Sequence, residues 1–232
     1  NGEPVDVTLS YAGQEVEAAY AESEFGDVPQ KGIIEAHKVD AESGLPVAVP
    51  GIEFRVTAAA DVVTPDGTVR AHEGDVVAEV VTGDDGKAET PELYLGRYEV
   101  EETLAPDGYV LNGEPVDVTL SYAGQEVAVT RAGAVVEDAP QKGVIEIVKT
   151  DEADGRAVPG AVYEVTAAAD IVTPDGTVHA SSGDVVATVT TGDDGKAETD
   201  ELYLGDYNVR ETATPDGWAI DHETHMVELS YA

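Results

Sequence analysis

Lys38, Glu102 and Asp138 are charged residues standing where the surrounding pattern calls for apolar ones. Successive side chains of a β-strand point to opposite faces, so residues two apart share an environment. In KGIIEAHKVD that rule groups Ile34, Ala36 and Lys38; in LGRYEVEET it groups Tyr98, Val100 and Glu102; in AVVEDAP it groups Ala134, Val136 and Asp138. One lysine, one glutamate and one aspartate therefore point inward. Burying each alone costs several kcal/mol, so the three are expected to meet. Two outcomes are then open. The first is a buried ion-pair network. In the second, the lysine amine attacks the aspartate carboxyl carbon, the glutamate shuttles protons, and water leaves as an isopeptide bond forms. Moving the proton from ammonium to carboxylate costs about 6.5 pH units in water, or roughly 9 kcal/mol. Burial favours the neutral form of each partner by up to about 3–5 pH units, so this reaction is feasible only in a dry core.

The same pattern recurs further along the chain. KGVIEIVKTD places Lys149 on the face of Ile145 and Ile147, and LGDYNVRET places Glu211 with Tyr207 and Val209. Near the start, Phe25 followed by Asp27 mirrors Val136 and Asp138. The recurrence is a true internal repeat: NGEPVDVTLSYAGQEV at residues 1–16 returns unchanged at 112–127, and TGDDGKAET occurs from Thr82 and from Thr191. The earlier copy carries two extra residues between Lys38 and Gly51, where an exposed loop is the natural place for an insertion. Dividing the chain at its two PQKG sequences gives residues 1–30 as the closing strands of a preceding unit, 31–141 as a complete unit, and 142–232 as a second unit lacking its last strand.

Each unit reads as strand and turn. Val-rich runs such as GDVVAEVVT and VDVTLSYA are bounded by TPDGT, TGDDGK and APDGY, whose Pro, Asp and Gly suit tight turns. The expected fold class is all-β, an antiparallel sandwich or small barrel repeated in tandem. The alanine run in VTAAAD at 56–61 and 165–170 is a weak helix signal, read here as a strand end entering a loop.

Composition narrows the function. Among 232 residues, 48 Asp and Glu face 12 Lys and Arg, a net charge of −36, which repels nucleic acid and anionic lipid surfaces. With no Cys there is no disulfide framework, no thiolate metal site and no cysteine nucleophile. TGDDGK clusters carboxylates but lacks the alternating ligand spacing of a calcium loop. His222 and His225 are three apart, which on a strand sends them to opposite faces. No nucleophile elbow, Walker or dinucleotide-binding motif is present. Neither substrate turnover nor a cofactor or metal is expected.

The ordered set of motifs is more specific than any single one. KG, then an apolar strand ending K-x-D, then VPG and an aromatic strand, then LYLG-x-Y-x-V-x-ET-x-x-PDG-[YW], closing with D-x-PQKG, resembles the Cna B-type or SpaA-type repeats. Those are prealbumin-like, immunoglobulin-like sandwiches in surface adhesins and pilins of Gram-positive bacteria. The similarity spans nearly every residue. It implies that Lys38, Glu102 and Asp138 form one bond-making triad, with Lys149 and Glu211 two thirds of the next and Asp27 the closing residue of the preceding unit. The family's closing residue is often Asn; with Asp, the leaving group is water rather than ammonia.

The resemblance also implies a location and partners. The chain is expected to be a stalk or shaft segment of an extracellular, cell-wall-anchored surface protein, contacting neighbouring repeats. The rival is an adhesive module that binds host matrix protein or glycan through its loops. The incomplete ends imply head-to-tail self-association of the fragment, the Asp27 strand of one chain inserting beside Lys149 of another.

Overall fold

The computed structural model describes residues 7–10 and 26–231. Most of the Asn1–Gln30 segment, Phe25 included, thus lies outside the described residues. No helix forms among the described residues; both alanine runs end a strand and turn, at Ala58 and at Ala167.

In the first repeat two sheets face each other. One contains an opening strand, Lys31–Asp40, flanked by a closing strand, Val129–Asp138, and by the short strand Lys87–Glu89, with Leu93–Tyr94 also pairing to the opening strand. The other runs Val76–Val81, Glu53–Ala58, Gly96–Leu104, Val116–Leu120 in spatial order. Strict alternation along the opening strand puts Ile34, Ala36 and Lys38 inside, and the facing sheet contributes Phe54, Val56, Tyr98 and Val100. Each large apolar side chain so buried contributes about 1.5–3 kcal/mol, the main favourable term for the fold.

One pairing departs from an antiparallel plan. The opening and closing strands run parallel over ten residues each, Lys31 opposite Val129 through Asp40 opposite Asp138. A parallel pair needs a long crossover, and here the whole facing sheet supplies it.

The second repeat rebuilds this plan with the sheet Val185–Thr190, Val162–Ala167, Gly205–Ala213, Thr224–Leu229 around Tyr163, Val165, Tyr207 and Val209. Its opening segment is broken into Lys142–Gly143 and Glu146–Val148, each paired on one side only among the described residues. A strand with ladder hydrogen bonds on one edge has less to hold it straight.

The two repeats meet through a polar joint. Glu42, in the turn after the opening strand, accepts hydrogen bonds from Lys142 Nζ (2.7 Å) and Tyr203 Oη (2.6 Å), while Ser43 Oγ donates to Asp175 Oδ2 (2.6 Å). The Lys142 ammonium also lies 4.5 Å from the centre of the Tyr203 ring.

Candidate functional site

Three strands carry the candidate residues to one point. Lys38 is the last long side chain on the inward face of the opening strand, and Asp138 ends the inward face of the closing strand beside it. Glu102 comes from the facing sheet, opposite Phe54, at a β-bulge that shifts the register between Glu53 and Phe54. Alternation with Tyr98 and Val100 already points Glu102 inward; the bulge after it breaks that period, so that Leu104, two residues on, is exposed.

The side chains of Lys38, Glu102 and Asp138 have no solvent exposure at all. Lys38 Nζ lies 2.5 Å from Glu102 Oε2 and is in direct contact with Asp138 Oδ2. Burial pushes the Glu102 carboxyl up to about 7; the Lys38 ammonium pulls against that rise and the Asp138 carboxylate adds to it. Glu102 Oε1 has no hydrogen-bond partner among the described residues. The arrangement puts an amine, a carboxyl raised enough to hold a proton near neutral pH and a second carboxyl in one water-free site, so that a proton can pass among them without meeting solvent.

The backbone frames this group tightly. The Asn112 N–H donates to Asp138 Oδ1 (3.1 Å), and the Ala41 N–H donates to the Asp138 carbonyl (2.8 Å). The Val47 N–H donates to the carbonyl of Lys38 (3.0 Å). The TGDDGK sequence is a tight turn: Asp85 Oδ1 accepts from the Lys87 N–H, and Gly86, at φ 71°, fits against the Val47 carbonyl, where a Cβ would lie 2.6 Å away. Its second copy serves Lys149 directly, the Lys149 N–H donating to the Gly195 carbonyl (2.8 Å).

Sequence reasoning missed two neighbours. Asp40 has the inward parity of Lys38 and is 2% exposed; its Oδ2 accepts from the hydroxyl of buried Tyr109 (2.8 Å), and its Oδ1 accepts from the Glu42 and Ser43 N–H groups. Parity alone could have found it. The Asn112 N–H carries no signal of that kind, because a backbone donor has no residue type.

Lys149 and Glu211 also meet, at 3.1 Å, with Lys149 18% exposed at its side chain and Glu211 buried. Burial is the largest single influence on the Lys149 ammonium and works against its charge, but the hydrogen bond to Glu211 together with the negative field of Tyr163, Glu211 and Asp221 exceeds it and holds the group above its usual value. Among the described residues no aspartate contacts Lys149 as Asp138 contacts Lys38; Glu211 Oε2 also accepts from the Asp221 N–H (2.7 Å). Asp27 is exposed and lies with Val28, Pro29 and Gln30 along a shallow cavity lined by Pro65, Leu95 and Tyr122 of the first repeat.

Two successive prealbumin-like sandwiches, each with an inward lysine–glutamate pair and one with the aspartate as well, define a tandem-repeat sandwich protein with a charged core. The chain belongs to the SpaA prealbumin-like fold domain family, whose model matches residues 32–133 and 143–232. Among solved structures it is similar to the Bacillus anthracis TIE protein, at 27% identity and a TM-score of 0.55, over 87% of this chain and 32% of that one. It thus spans about a third of that chain's length. A Streptococcal ancillary pilin matches at 19% identity over 88% of this chain and 60% of its own, with a TM-score of 0.38. The shaft pilin SpaA of Lactobacillus rhamnosus GG matches at 13% identity over 88% and 95%, with a TM-score of 0.34. No curated protein matches the sequence.

Proposed function

We propose that this chain is a load-bearing stalk segment of an extracellular surface protein of a Gram-positive cell, acting mechanically rather than by turnover, and that its first repeat is locked by an isopeptide bond between Lys38 and Asp138. The observation that carries this reading is the triad itself: an amine, an acid and a second carboxyl in mutual contact, sealed from water. Family membership supports the surface role.

The chemistry balances simply. After proton relay through Glu102, the neutral Lys38 Nζ attacks Asp138 Cγ. The amine gives up a proton to Glu102, Glu102 returns one to the departing oxygen, and one water is released. The new C–N bond joins the opening strand to the closing strand. In the chain-entropy treatment of crosslinks, closing a loop of roughly 100 residues constrains the unfolded state by about 4.7 kcal/mol.

The parallel ladder gives the bond its mechanical meaning. Tension entering at Lys31 and leaving after Asp138 pulls the two strands from opposite ends, in shear. With the bond in place, load passes from Lys38 to Asp138 and the chain between them is bypassed. In the same reading, Lys149 and Glu211 are the amine and proton-shuttling carboxyl of a second such set, and a strand that brings a carboxyl beside Lys149 would complete it. Intact-mass measurement tests the proposal: the folded chain should weigh one water less than its sequence, and a full mass in folded protein overturns it.

A further inference from the structure

The two oxygens of Asp138 have different surroundings. Oδ2 touches Lys38 Nζ, whereas Oδ1 accepts the Asn112 N–H at 3.1 Å. We infer that the backbone N–H of Asn112 is the oxyanion donor of the crosslinking reaction, and that it decides which oxygen of Asp138 stays and which leaves. The inference rests on the isopeptide reading above.

The electron bookkeeping shows why. An oxygen that accepts a hydrogen bond from a backbone donor is held as the carbonyl of the neutral acid, so the acid proton is left to Oδ2. When Lys38 Nζ attacks Cγ, the C=Oδ1 pair moves onto Oδ1, and the charge develops where the N–H already points. Collapse of the adduct re-forms C=Oδ1 and breaks C–Oδ2. Oδ2 departs as water with the proton delivered by Glu102, which sits on that side through Lys38. Donors fixed about 2.7–3.1 Å from the developing charge are worth most where water is excluded, as it is here. Oδ1 ends as the isopeptide carbonyl, still bonded to Asn112.

The loop is built to hold that donor. Asn112 Oδ1 accepts from the Glu114 N–H (3.1 Å), and Asn112 Nδ2 donates to the Glu137 carbonyl (2.9 Å). The Val110 N–H donates to the Ala139 carbonyl (3.0 Å), tying the loop to the end of the closing strand. The second repeat repeats the device with a different residue. Asp221, at the corresponding position, accepts from the Glu223 N–H through Oδ1 (2.9 Å), and its own N–H enters the charged site to reach Glu211. Asn and Asp both make this turn, so what the two copies share at the site is the backbone N–H. The same donor would orient an asparagine placed at 138, since only its carbonyl oxygen can accept, and would turn the amide nitrogen toward Lys38 as the leaving group.

The test uses the full chain made by cell-free translation, with the α-hydroxy analogue of asparagine at position 112 so that an ester oxygen replaces the N–H. Loss of water is followed by intact mass after synthesis. The unaltered chain is the control: if it loses no water, the isopeptide reading fails by itself. If it does, the ester chain should lose water about 100-fold more slowly, the effect of removing one such donor from an enzyme oxyanion hole. Asn112→Asp, which keeps both the N–H and the side-chain oxygen that accepts from the Glu114 N–H, as Asp221 does in the second repeat, should react much faster than the ester chain. Native speed in a folded ester chain, or a folded Asn112→Asp chain as slow as the ester, overturns the inference. Should the ester chain not fold, the native product decides: a scalar coupling across the hydrogen bond from the Asn112 amide nitrogen to Asp138 Cγ is required, and its absence overturns the inference.

Discussion

Lys38 and Asp138 are diagonal neighbours on one face of a parallel ladder: Lys38 stands opposite Val136, Asp138 opposite Asp40, and the lysine reaches across the step of two residues to touch the aspartate. A directly opposed pair would leave a long side chain folded against itself. The offset gives the four-carbon stem of lysine its length to span, and Glu102 meets it from the other sheet.

That geometry separates Glu102 from its neighbour in sequence. Glu101 is 41% exposed at its side chain and lies 3.7 Å from Arg55 on the outer face. Glu101→Gln should lose one water like the parent chain, while Lys38→Ala and Glu102→Gln should keep the full mass. Intact-mass spectra of the three variants check this, and a crosslinked Glu102→Gln chain would remove Glu102 from the mechanism.

Force should reveal the bond independently. Pulling the parent chain from both ends should leave the first repeat's 39–137 segment unextended. In Lys38→Ala, unfolding should release roughly 100 residues, or about 340 Å of contour at about 3.4 Å each. An equal release from both chains would show that no covalent bypass exists.

The raised Glu102 value fixes the sign of a pH effect. Below about 7 Glu102 keeps its proton and the triad can pass through an uncharged state; above it, an extra negative charge is buried. Crosslinking after refolding should therefore slow as pH rises through 7. A carboxyl whose folded value is raised also binds its proton more tightly folded than unfolded. Stability of the unreactive Lys38→Met chain should fall as pH climbs from the ordinary glutamate range through about 7 and beyond, because removing the ammonium removes the one pull downward. Urea midpoints across that range check it; midpoints that rise with pH would place Glu102 in a different environment.

Replacing the triad by apolar residues tests how much of its cost is desolvation. Lys38→Ala leaves two carboxyl groups facing each other in a dry core, a change worth about 3–5 kcal/mol by analogy with broken buried pairs. The triple variant Lys38→Met, Glu102→Leu, Asp138→Leu removes the charges together and should be more stable than Lys38→Ala in urea, though still without the crosslink. A triple variant weaker than the single one would mean that shape, not charge, dominates the site.

The joint between repeats should yield to one substitution. Lys142 and the Tyr203 hydroxyl both depend on Glu42, whose carboxyl they hold below the usual range. Glu42→Ala should broaden the distance distribution between spin labels placed on the two repeats, with little change in melting, since exposed pairs of this kind contribute about 0–1 kcal/mol. An unchanged distribution would show that Glu42 does not set the joint.

Much of this was legible in the chain itself. Alternation in KGIIEAHKVD, LGRYEVEET and AVVEDAP is a local property of extended backbone, so it placed Lys38, Glu102 and Asp138 inside, and Glu101 outside, without knowledge of which strands pair. Repetition marked the two copies because duplicated segments keep their letters. Parity does not say which strand lies beside which, in what direction, or at what offset. The parallel pairing of the opening and closing strands, the two-residue step between Lys38 and Asp138, and the bulge at Glu102 arise from closing two sheets over one core. The Asn112 donor belongs to the same category: its side chain announces a turn, but where its N–H points depends on how that loop docks on a strand 26 residues away. Side-chain burial follows a period that is written locally, whereas contact between distant segments is a property of packing, and only the folded chain decides it.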